Sequence, residues 1–63
     1  MAAPTRTPDQ ILVHREQIAA RYLRGEYQVD IARALGISQQ QVSYDLKAIR
    51  AAWLAAAVRD FDA

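Results

Sequence analysis

Between positions 39 and 50 the chain carries Gln39, Gln40, Ser43, Tyr44, Lys47 and Arg50, separated by one, three, one, three and three residues. At about 3.6 residues per helical turn these positions gather on one side of a helix. The set holds amides and hydroxyls first and two cations last. A glutamine amide can pair bidentately with an adenine edge, Ser and Tyr hydroxyls reach base edges or phosphates, and Lys and Arg neutralise phosphates. The chemistry expected is recognition of a polyanion through hydrogen bonds, with no bond made or broken.

The remaining residues support no competing chemistry. There is no cysteine, so disulfides and thiolate metal sites are excluded. His14 is the single histidine and has no partner at metal-ligand spacing. No Ser–His arrangement within a motif and no Gly-rich phosphate loop is present, so neither an enzyme nor a cofactor is expected. Net charge is only +1, yet the 50 residues up to Arg50 hold seven Lys or Arg against five Asp or Glu. The basic excess therefore lies on the side of the chain that carries the polar face.

A face of this kind must be held by helices. Thr7-Pro8-Asp9-Gln10 combines an N-cap, a proline at the first helical position, an acid in the first turn and the glutamine of a capping box. Helix one is expected over 8–24, with Ile11, Ile18 and Tyr22 on one stripe, Leu12, Ala19 and Leu23 beside it, and Gly25 after it. Helix two is expected over 28–35 and ends at Gly36, where a left-handed backbone suits only a residue without a Cβ. Tyr27 stands at its start in place of a good cap, which Asp30 partly offsets through the helix dipole. Ser38 and Gln41 repeat the capping-box pattern and open helix three, expected to run to about Asp60. Its core stripe is Val42, Leu46, Ile49 and Trp53. Asp45 falls beside that stripe, where an ion pair with a helix-one or helix-two arginine such as Arg21 or Arg33 is expected, worth under about 1 kcal/mol if exposed.

The positions Ile31-Ala32, Leu35-Gly36-Ile37-Ser38, Val42-Ser43 and Asp45-Leu46 together resemble the helix-turn-helix of bacterial and phage DNA-binding proteins, a homeodomain-like trihelical fold. The small Ala32 suits a helix crossing, Gly36 supplies the turn, and the apolar residues fix the angle between the two helices. The resemblance implies an all-α domain of three helices with the third extended, whose second motif helix enters a major groove about 12 Å wide. Tyr44 departs from the arginine that the Val-Ser-x-Asp-Leu relatives often carry, which points from guanine readout toward phosphate or thymine-methyl contact. The Tyr-Leu-Arg-Gly-Glu-Tyr-Gln entry and the Val58-Arg59-Asp60-Phe61-Asp62 end resemble the N-terminal domains of phage small terminase subunits. That likeness implies double-stranded DNA as partner, a ring-forming homo-oligomer and a large terminase. Regulator and transposase domains share the motif, and a domain of another class, making only protein contacts, can be built on the same fold.

Three parts follow: a flexible arm over 1–6, the DNA-binding domain over 7–53, and an extension over 54–63. In the extension Leu54, Val58 and Phe61 form a second apolar stripe about 100° from Trp53, expected to mediate self-association or to continue into a further segment. No apolar run approaches the roughly 20 residues of a bilayer span, and a cytoplasmic location in a bacterial or phage-infected cell is expected.

Overall fold

The computed structural model describes residues 6–62, with side chains to residue 60. The described chain is all-α, three helices in the order α1 (Pro8–Leu23), α2 (Gln28–Leu35) and α3 (Gln39–Asp62). The Thr7 hydroxyl accepts from the Gln10 amide at 3.1 Å while the Gln10 side chain accepts from the Thr7 amide at 2.9 Å, so two N-terminal donors of α1 are satisfied reciprocally. Gly25 ends α1 with φ +88°, and the Glu26 amide closes back on the Arg21 carbonyl. Glu26 also bridges Arg21 and Arg24 at 3.1 and 3.2 Å, fixing the turn into α2.

Gly36 ends α2 at φ 68° and ψ 30°, and the Ile37 amide reaches back to the Ala32 carbonyl at 3.1 Å. This left-handed stop turns the chain within three residues. Ser38 then caps α3, its hydroxyl accepting from the Gln41 amide at 3.0 Å. The second half of the expected capping box is replaced by another bond: the Gln41 side chain donates to Asp45 at 3.4 Å.

The core is Ile18 from α1, Ile31 and Ala32 from α2, and Val42, Leu46 and Ile49 from α3. Each large aliphatic side chain hidden here contributes about 1.5–3 kcal/mol relative to exposure. Ala19, Tyr22, Leu35 and Ile37 close the margin of this core. Trp53, expected as its last member, is instead 39% exposed. It packs at the rim against Tyr22, the ring centroids 6.4 Å apart and tilted by 33°. The shorter α1 and α2 end where α3 continues, so nothing is left to cover the far side of the indole. Leu12 and Leu23, beside the α1 stripe, are likewise exposed.

From Ala51 to Asp60 every residue of α3 is exposed. A helix of 24 residues is about 36 Å long, and its overhang stretches the molecule to 46 × 25 × 16 Å. No helix of the described residues is long and apolar enough to cross a membrane.

Candidate nucleic-acid interface

The first three turns of α3 are clamped by their buried side. Val42 and Ile49 pack against the core with Leu46 between them, and α3 is thereby fixed in rotation about its own axis. The opposite side must then point outward. Gln39, Gln40, Ser43, Tyr44, Lys47 and Arg50 are all exposed, and the structure brings them together on one surface as the sequence predicts.

That surface is grooved. One depression lies between the start of α2 and α3, lined by Gln28 of α2 and by Ser43, Leu46, Lys47, Arg50, Ala51 and Leu54 of α3. A second depression joins Gln28 to Gln39, Gln40 and Ser43, and a third lies among Ser38, Gln40, Gln41 and Tyr44. Gln28 is the residue that sequence reasoning missed. A lone amide at the first position of α2 belongs to no periodic pattern, and only the packing of α2 across α3 places it beside Ser43. The start of α2 also has no side-chain cap, because Tyr27 at the N-cap offers no hydrogen bond. Its first amides therefore keep their partial positive charge toward solvent, next to Gln28.

Electrostatics sharpen the picture. Among the described residues neither Lys47 nor Arg50 enters an ion pair, whereas Arg6, Arg15, Arg21, Arg24 and Arg33 all do. The first turn of α3 contains no acid. The one carboxylate in this part of the helix, Asp45, points inward and is fully buried. Arg6 grips it with a two-pronged guanidinium, Nη1 to Oδ2 at 2.8 Å and Nη2 to Oδ1 at 3.1 Å. Arg15 adds a bond from Nε at 3.3 Å.

Arg15 is an arginine of helix one, as expected for Asp45, but Arg21 and Arg33 are not its partners and Arg6 lies ahead of the helix. Arg21 is taken by Glu26, and Arg33 lies 4.0 Å from Asp30 on the same helix. Asp45 faces α1 at Arg15, about 9 Å along that helix from Arg21 at 1.5 Å per residue, so Arg15 and the preceding Arg6 reach it. The pair is also buried on its carboxylate side. Burial drives the Asp45 carboxyl toward its neutral form, but hydrogen bonds and charge from Arg6 and then Arg15 outweigh it and hold the group below the usual carboxylate range. The bond to Asp45 correspondingly raises the Arg6 guanidinium above its ordinary value. Arg6 itself, read from sequence as the end of a loose arm, is thus fastened to α3; residues 1–5 lie outside the described residues.

Of the second apolar stripe, Leu54 is 66% and Val58 52% exposed, so neither belongs to the core. The side chain of Phe61 lies outside the described residues. Among the described residues no cluster of His, Asp and Glu could hold a metal ion. No protein-family model, no curated protein and no solved structure matches this chain, so the reading of its function rests on the geometry of α2 and α3.

Proposed function

We propose that this chain binds double-stranded DNA as a helix-turn-helix domain, with α3 in the major groove and α2 across the backbone. One observation carries the reading: six hydrogen-bonding or cationic side chains share the outward face of α3, while the only carboxylate among them is turned inward and neutralised. Gln39, Gln40, Ser43 and Tyr44 read the groove, and Lys47 and Arg50 hold phosphates. Gln28 and the uncapped start of α2 flank the same groove and favour a backbone phosphate. The likeness to small terminase subunits makes recognition of a viral genome for packaging the role we favour; regulators and transposases place the same geometry on other DNA.

Two free cations on this face give little electrostatic affinity at physiological salt. A single copy therefore binds weakly, and several copies on one duplex compensate through effective concentration. Leu54, Val58 and Phe61 supply the contact in this reading, because the first two are exposed on one side of the overhanging helix and a net charge of +1 opposes association little.

Fluorescence anisotropy with random duplex at low salt tests the proposal. Lys47→Ala should weaken binding to every sequence alike and flatten the salt slope by about one unit, whereas Gln40→Ala should alter the preference among sites. A parent chain that ignores duplex DNA at low salt would leave the protein-contact reading, which the exposed Leu54 and Val58 favour. Sedimentation of a Leu54→Glu, Val58→Glu double variant tests the assembly. Helical content should persist and association should vanish, since the new charges would be buried without partners.

A further inference from the structure

The grip on Asp45 has a third member that the binding surface does not use. Arg6 Nη1, the atom that bonds Asp45 Oδ2 at 2.8 Å, also lies 3.3 Å from His14 Nδ1. A guanidinium has only donors, so Nδ1 must be the acceptor. The imidazole can accept there only when neutral, with its proton on Nε2. His14 is half-buried on α1, one residue before Arg15, which holds the same carboxylate from the side.

We infer that the clasp between the segment ahead of α1 and helix α3 is proton-sensitive, with His14 as the sensor. Protonation at Nδ1 turns the acceptor into a donor aimed at a donor and sets a second cation 3.3 Å from Arg6. The Arg6 guanidinium then has a cation on one side and the Asp45 carboxylate on the other. Arg6 is the one that yields, because it precedes the first helix while His14 and Arg15 are fixed on α1. The groups that face the cluster are Arg6 from the leading segment, His14 and Arg15 from α1, and Gln41 and Asp45 from α3. The charges of α2, Asp30 and Arg33, face each other on the exposed side of that helix and take no part. Release frees Arg6 from α3 and leaves Asp45 to Arg15 and Gln41. The inference stands whether or not the chain binds DNA.

The test is an NMR titration of the isotopically labelled full chain from about pH 8 to about pH 5. It follows the His14 ring, the Asp45 carboxyl carbon and the Arg6 guanidinium together. Protection of the Arg6 N–H groups is read as exchange slower than that of a free guanidinium at the same pH, because base-catalysed exchange itself slows as pH falls. It should be high at the upper end and be lost with the same midpoint as the His14 ring while the helical amides of α1 to α3 stay protected. In His14→Gln, whose side-chain carbonyl can accept but takes no proton, Arg6 should stay protected throughout. Arg6 protection that persists while His14 titrates would overturn the inference from the parent chain alone, whatever the variant does. A loss at the same midpoint in His14→Gln would overturn it too, placing the proton on another group.

Discussion

Replacing Arg6 by alanine isolates what the buried carboxylate is worth. In the parent, Asp45 Oδ2 is bonded by Arg6 alone, and Oδ1 shares Arg6, Arg15 and Gln41 at 3.1, 3.3 and 3.4 Å. Arg6→Ala leaves Oδ2 without a protein donor inside a side chain that has no exposed surface. A net hydrogen bond to a charged group is worth about 1.5–3 kcal/mol, and two are lost. Against this, about 2 kcal/mol of side-chain entropy returns to the chain. The removed guanidinium, itself 16% exposed, also leaves an opening through which water can reach Oδ2. The balance is a destabilisation of about 2 kcal/mol. At about 0.05–0.15 kcal/mol per residue, 63 residues give only about 3–9 kcal/mol in all. The loss is therefore a large share, and at about 4–8 °C per kcal/mol thermal melting followed by circular dichroism should fall by roughly 10 °C. Asp45→Ala should cost a comparable amount. The double variant should cost less than the sum of the two, since no charge is then orphaned. Acid adds a second signature. The folded carboxyl titrates below the unfolded one, so its contribution is complete above about pH 4 and is lost as pH falls through the lowered value. With Arg6 gone, burial is less opposed, the folded carboxyl lies closer to the unfolded one, and the part of the stability that acid removes shrinks. An Arg6→Ala chain melting within a degree or two of the parent, with additive double-variant costs, would refute the clasp.

Two further expectations concern the helix ends. Gly36→Val should destabilise by about 1–3 kcal/mol in denaturant titration, and Gly36→Asn by clearly less, because the left-handed φ of 68° is the obstacle while a Cβ there meets nothing within 4 Å. Tyr27→Ser should stabilise by about 0.5–1 kcal/mol in the same assay: Tyr27 is the uncapped N-cap of α2, has suitable extended backbone angles, and is 77% exposed, so little packing is lost.

The features that were legible in the sequence are those written in neighbouring residues. Thr7-Pro8-Asp9-Gln10 and Gly36 place their helix boundaries because capping bonds span three or four positions, and Val42, Leu46 and Ile49 show their buried side through periodicity alone. Because that periodicity also fixes the opposite side, the outward set from Gln39 to Arg50 could be read in advance. Contacts set by how far one helix slides along another were not legible. Asp45 and Arg6 are 39 residues apart, and a helical wheel supplies the azimuth of Asp45 but not which end of α1 lies opposite. Trp53 continues the core stripe faithfully, yet α1 and α2 are too short to bury it. The Gln41 side chain had two possible partners, and only the folded position of Asp45 decides between them.

The unbroken run of α3 from Gln39 to Asp62 makes one rigid rod of two surfaces that the rest of the chain keeps apart. Because each residue advances a helix by about 1.5 Å and turns it by about 100°, the polar face and the overhanging apolar face are locked in a set phase. Whatever grips Leu54 and Val58 also dictates the rotation at which Ser43 and Lys47 are presented. One alanine inserted after Ala52 would swing the two faces by about a quarter turn at almost unchanged length, whereas seven would restore the alignment to within about 20° while lengthening the rod by about 10 Å. A change in the length of this helix keeps the two faces in phase only in steps close to whole turns, even though every described side chain from Ala51 to Asp60 is exposed.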